Sequence, residues 1–193
     1  MIGLHRNQGG THETIAPVGE YAAALLDAGL RPFVVVIGEG GHAAELHVLG
    51  CKVAFAKDDW RFAPNYESGD PAGDAAARYQ IVKGAWPPEL SKDAWCIVLN
   101  EPRKEAADYV HRFMLEFARL ANADGYRVTG PNWSTGTPEV DAWETDAGRA
   151  WLRYCGENPD MASVGLHEYS LNAAELETGA PWLVGRYQFI LDV

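Results

Sequence analysis

The stretch Trp95-Cys96-Ile97-Val98-Leu99-Asn100-Glu101-Pro102 runs from apolar residues directly into an amide, a carboxyl group and a proline. A short apolar run that ends in this way predicts a buried β-strand. In a parallel barrel the carboxyl ends of the strands open on one face, where substrates bind. The side chains of Asn100 and Glu101 are therefore candidates for a functional site.

Similar apolar runs lie on both sides of this strand, and helical patterns separate them. The other runs are Ile2 to His5, Phe33 to Ile37, Cys51 to Ala56, Arg127 to Gly130 and Ser163 to Tyr169. Such alternation indicates an α/β fold with a parallel sheet. Because an eight-unit barrel needs about 250 residues and the chain has 193, we expect an incomplete (β/α)8 TIM barrel of about six βα units. No linker divides the chain, so residues 1–193 are predicted to form a single domain.

Helices are predicted from apolar residues that recur every three or four positions. The clearest stripe spans residues 106–121, and weaker ones cover residues 18–26, Asp74 to Trp86 and Trp143 to Cys155. The segment from Pro181 to Val193 fits both a helix and a strand, and we favour the helix.

The tripeptide Asn100-Glu101-Pro102, at the end of the fourth predicted strand, resembles the clan A glycoside hydrolases. The resemblance extends in order over nearly the whole chain, and Val164 to Ser170 is similar to the His-x-Tyr segment that ends the sixth strand of such enzymes. It implies hydrolysis of O-glycosidic bonds by a retaining double displacement, with Glu101 as the general acid/base and Asn100 holding a sugar hydroxyl.

The same resemblance implies a carbohydrate-binding cleft. It would be lined by His5, Trp133, His167 and Tyr169, with Trp133 as a stacking platform for a sugar ring. His167 and Tyr169 lie two positions apart, so they share one face of a strand.

The second catalytic carboxylate of a retaining glycosidase is missing from this resemblance. A retaining glycosidase needs a second carboxylate about 5–5.5 Å from the first, and the strand-seven nucleophile is absent from this chain. Substitutes within the chain are Glu39, Asp58, Asp59, Glu168 and Asp192. We expect the chain alone to be inactive or nearly so. The alternative is a non-catalytic carbohydrate-binding protein, or a partial barrel that self-associates through its open edges.

Composition excludes several other classes of function. The net charge of −11 opposes binding to nucleic acid, which requires clustered Lys and Arg.

No run approaches the ~20 apolar residues of a membrane span, and no signal peptide precedes the first strand, so the chain as written is expected to be cytoplasmic. His42 and His47 are five positions apart, not at the spacing of a helical zinc pair, and the double displacement needs no metal or other cofactor.

Overall fold

The computed structural model describes residues 3–6, 12–38, 40–56, 62–168, 178–179, 187–191 and 193. Strands and helices alternate along this part of the chain. The strands are β1 (Gly3–Arg6), β2 (Phe33–Ile37), β3 (Lys52–Ala56), β4 (Trp95–Ile97), β5 (Arg127–Thr129) and β6 (Ala162–Ser163). The helices are α1 (His12–Asp27), α2 (Gly40–Leu49), α3 (Pro71–Ala85), α4 (Ala107–Ala123), α5 (Val140–Glu144), α6 (Asp146–Glu157) and α7 (Tyr187–Leu191).

The six strands form one sheet in the order β1-β2-β3-β4-β5-β6, and all neighbouring pairs are parallel. Each strand therefore lies beside the one that precedes it in the chain, which is the strand order of a (β/α)8 barrel. The predicted fold, an incomplete TIM barrel with six strands, is confirmed. Within the described ranges β1 and β6 lie at the two edges of the sheet, and self-association through these edges stays a prediction.

Successive side chains of a strand point alternately into an outer core and into the barrel interior. In β2 the side chains of Val34 and Val36 are fully buried, whereas Phe33 and Val35 are partly exposed and line an interior cavity. The outer core is centred on the inner face of α4, where Val110, Phe113, Met114 and Phe117 have no exposed surface. Burying each such side chain contributes about 1.5–3 kcal/mol, so the packing of α4 fixes the strands beneath it.

Two local features differ from expectation. Helix α2 was not predicted, because its apolar residues form no stripe: Ala43 and Leu46 are buried but Val48 and Leu49 are exposed. The helix predicted from Trp143 to Cys155 is two helices, α5 and α6, separated at Thr145. The backbone of Thr145 is extended there (φ −63°, ψ 158°) and its side chain accepts a hydrogen bond from the backbone N–H of Gly148.

None of the helices in the described ranges is long and apolar enough to cross a membrane.

Candidate functional site

A cavity of about 320 Å³ lies against the sheet and extends to the segments that follow β4, β5 and β6. The lining from β2, β3 and β4, here called the floor, is apolar. The lining near the carboxyl ends of β4, β5 and β6, here called the rim, carries polar side chains beside Val164 and Leu166. The floor comprises Phe33, Val35, Ile37, Ala54, Ala56 and Ile97. The rim includes Asn100, Thr129, Asn132, Ser163 and His167. An apolar cavity with a few convergent polar groups is the usual form of a small-molecule site.

His167 lines the cavity and contacts Glu101, which follows the lining residue Asn100 and does not itself line the cavity. The two residues are 66 positions apart in the chain. Nδ1 of His167 lies 2.9 Å from Oε1 of Glu101, and the two side chains are 34% and 35% exposed. Half-exposed groups of this kind are reachable by a ligand while they remain in contact with each other. An imidazole and a carboxylate at hydrogen-bond distance can pass a proton between them and to a bound ligand.

The segment that follows β5 holds the backbones of both members of the pair. The carbonyl of Asn132 accepts a hydrogen bond from the N–H of Glu101 (3.0 Å), and the carbonyl of Trp133 accepts one from the N–H of His167 (2.8 Å). The hydroxyl of Thr135 in turn donates to the carbonyl of His167 (2.9 Å). Consecutive residues of one loop therefore fix the spacing of the pair.

Two non-glycine residues in the described ranges have left-handed backbone angles, and both are at this rim: Glu101 (φ 47°) and Asn132 (φ 52°). This conformation is uncommon for residues other than glycine, although Asn tolerates it better than most. Strained backbone of this kind is concentrated at functional sites. At Glu101 the strain coincides with the placement of its carboxylate beside His167.

The other predicted site residues have different outcomes. Asn100 lines the cavity beside His167. Trp133 is fully buried and packs edge-on against the ring of His111, so the prediction that it stacks on a ligand is wrong. The backbone of His5 lies in β1, but its side chain is outside the described part, as is all of Tyr169.

The carboxylates considered as substitutes for a strand-seven nucleophile are not placed opposite Glu101 in the described ranges. Glu39, Asp58, Asp59 and Asp192 lie outside them. Glu168 is exposed and follows His167 directly, and it does not line the cavity. Among the described residues, no group of three or more His, Cys, Asp or Glu side chains is arranged to hold a metal ion.

Sequence reasoning missed the importance of Asn132. This residue is 7% exposed, and its side-chain amide donates to the carbonyl of Leu99 in the strand-four segment (2.7 Å). The available signal was an Asn directly after Gly130-Pro131 at the end of a predicted strand, a position where Asn tolerates a left-handed turn.

Comparisons with known proteins show no family for this chain. No family model and no curated protein matches it. Among solved structures it is similar to a sugar phosphate isomerase/epimerase from Parabacteroides distasonis, at 12% identity and a TM-score of 0.45. The alignment covers 86% of this chain, which spans 64% of the length of that protein.

These results correct the expectation of a clan A glycoside hydrolase. No model of such a family matches, and the solved structure is described as an isomerase/epimerase rather than a hydrolase. The tripeptide Asn100-Glu101-Pro102 is too short to carry a family assignment by itself. The interpretation of the chain as a retaining glycosidase that lacks its nucleophile is therefore wrong. The comparisons give no support to the alternative, a non-catalytic carbohydrate-binding protein.

Proposed function

We propose that the rim of the barrel is the active site of a proton-transfer enzyme, in which Glu101 and His167 exchange a proton with a small, neutral, hydroxylated carbonyl compound. The observation that carries the proposal is the 2.9 Å contact between the carboxylate of Glu101 and the imidazole of His167, which lines the cavity. A base positioned in this way contributes about 10²–10⁴-fold to a proton-transfer step.

The lining of the cavity supports a neutral ligand. The described residues that line it include amide, hydroxyl and imidazole groups but no Lys or Arg side chain. Amides and hydroxyls bind the hydroxyl and carbonyl oxygens of a ligand, and the apolar floor packs against its carbon atoms. Simple aldoses and ketoses belong to this class of compound, and 320 Å³ is at the lower end of the range of about 300–1,000 Å³ for small-molecule sites.

The reaction is the removal of a proton from the carbon next to a carbonyl group. The C–H bond breaks, its electron pair remains on the ligand as an enolate, and the proton passes to the Glu101–His167 pair. The pair then returns a proton to carbon. Glu101 and His167 can share the added proton between them, because their contact atoms are within hydrogen-bond distance.

Exchange with deuterated solvent tests this proposal. The chain is incubated in D2O with a panel of small aldoses, ketoses and hydroxy ketones, and incorporation of deuterium at carbon is followed by proton NMR. We expect at least one compound to exchange, and we expect Glu101→Gln and His167→Gln each to slow the exchange by about 100-fold or more. Glu144→Gln, which changes an exposed carboxylate on α5, is the matched control and retains the wild-type rate.

Two results would overturn the proposal. One is that no compound in the panel acquires deuterium above the rate in buffer. The other is that Glu101→Gln exchanges as fast as the wild-type chain.

A further inference from the structure

We propose that Asn132 is a positioning residue for the Glu101–His167 pair, and that its side chain sets the distance between the carboxylate and the imidazole. This inference rests on the proposed function for its catalytic consequence, but its structural part is independent of that function. Asn132 itself transfers no proton.

The side chain of Asn132 joins the segments at the carboxyl ends of β4 and β5. Its Nδ2 donates to the carbonyl of Leu99 (2.7 Å), and it lies 3.5 Å from the carbonyl of Thr129. Leu99 is two residues before Glu101, so this bond restrains the turn from which the carboxylate projects. The backbone N–H of Glu101 bonds to the carbonyl of the same Asn132, and the turn is therefore held at two points.

The side chain of Asn132 also fits against the segment that carries His167. Gly165, two residues before His167, leaves no room for a side chain, because an added Cβ would overlap Oδ1 of Asn132. The N–H of Gly165 donates to the carbonyl of Gly130 (3.2 Å), and the N–H of Trp133 donates to the carbonyl of Gly165 (3.1 Å). Asn132 thus lies between the two segments whose side chains form the pair.

The burial and the backbone conformation of Asn132 also suit it to this role. Asn132 is 7% exposed, and a buried amide that loses its hydrogen bonds is costly. Its left-handed backbone (φ 52°) aims its carbonyl at Glu101 and its side chain at Leu99 at the same time. Asn tolerates this conformation better than other non-glycine residues of its size, and it supplies the amide donor that glycine lacks.

A matched control is present at the other end of the barrel. The Nδ2 atom of Asn122 also donates to two backbone carbonyls, those of Tyr126 (2.7 Å) and Met161 (2.9 Å). These bonds lie at the amino ends of β5 and β6, far along the strands from Glu101. Asn122→Ala therefore removes these two bonds without touching the rim, together with the bond that Oδ1 of Asn122 accepts from the Tyr154 hydroxyl (2.8 Å).

The test compares Asn132→Ala, Asn132→Gly and Asn122→Ala by thermal unfolding, by the ring ¹⁵N signals of His167 at a fixed neutral pH, and by the solvent-exchange rate. Glu101→Gln supplies the signals of a His167 ring that has lost its carboxylate partner. We expect both Asn132 variants to move the His167 signals toward those of Glu101→Gln and to slow exchange at least tenfold. Asn122→Ala is expected to lower the unfolding temperature but to retain the wild-type signals and rate.

Asn132→Gly keeps the proposal testable if the alanine variant does not fold, because glycine adopts the left-handed backbone without strain. Wild-type His167 signals in the folded Asn132 variants would overturn the proposal, whatever their stability. If no compound exchanges but the His167 signals move as expected, the proposed function fails while the positioning role of Asn132 stands.

Discussion

The imidazole ring of His111 lies 4.7 Å, centroid to centroid, from the indole ring of Trp143, and 5.8 Å from that of Trp133. Neither ring nitrogen of His111 has a hydrogen-bond partner among the described residues, and the side chain is fully buried. Burial therefore lowers the pKa of His111 to about 4. This neutral histidine packs against Trp133, which directly follows Asn132 in the segment after β5.

The first prediction is a loss of stability in weak acid. The pKa of His111 is about 4 in the folded chain, against 6.5 for an ordinary solvent-exposed histidine, so the unfolded chain binds the proton first. The contribution of His111 to the free energy of unfolding is constant above about pH 6.5 and is lost as the pH falls toward 4. The loss amounts to about 2 kcal/mol at pH 5. Urea unfolding at pH 7.5 and pH 5 measures it, by comparing the wild-type chain with His111→Phe.

His111→Phe keeps a ring between the two tryptophans but cannot be protonated. The expected result is that the free energy of unfolding falls less between pH 7.5 and pH 5 in this variant than in the wild-type chain. Equal losses in the two proteins would show that His111 is not the titrating group.

The second prediction concerns the fit of Gly165 against Asn132. Gly165→Ala forces Asn132 to move, and overpacking of this kind costs about 1–3 kcal/mol. Gly84→Ala is the control, because a Cβ at this position in α3 meets no atom within 4 Å and removal of a helical glycine stabilises by about 1 kcal/mol. Chemical denaturation of both variants should give shifts of opposite sign. A Gly165→Ala variant as stable as the wild-type chain would mean that the segment bearing His167 is loosely packed.

The third prediction concerns the boundary between α5 and α6. The hydroxyl of Thr145 accepts a hydrogen bond from the N–H of Gly148 (3.0 Å) and donates one to the carbonyl of Ala142 (3.0 Å). Thr145→Ala should lower the free energy of unfolding by about 1 kcal/mol, whereas Thr145→Ser retains the hydroxyl and most of the stability. If the serine and alanine variants unfold at the same denaturant concentration, the hydroxyl of residue 145 makes no contribution to the free energy of unfolding.

Much of the fold could be predicted from the sequence because parallel strands are marked by short apolar runs. Phe33–Ile37 was predicted to the residue, and the stripe in residues 106–121 corresponds to α4. Helix α2 was not predicted, because apolar residues occur on both its exposed and its buried sides. The break at Thr145 depends on a hydroxyl bond across one turn, which periodicity does not reveal.

The candidate site was partly predictable for the same reason. Glu101 and His167 each follow a strand, and strand ends converge on one face of a barrel. Their contact could not be predicted, since it depends on the turn at Asn132 and on the strand register. Trp133 was misinterpreted because the resemblance to glycoside hydrolases placed it in a sugar-binding cleft. In the structure it follows the left-handed Asn132, and its indole packs in the core beside His111.

The central claim is that Glu101 and His167 act as one proton-transfer unit, and a double-mutant cycle on the solvent-exchange rate tests it most directly. The rates of Glu101→Gln, His167→Gln and the double variant are compared with the wild-type chain for a compound that exchanges. Groups that act as a unit are strongly non-additive, so we predict that the double variant is no slower than the slower single variant. Independent effects that multiply in the double variant, or the absence of exchange in the wild-type chain, would contradict the claim.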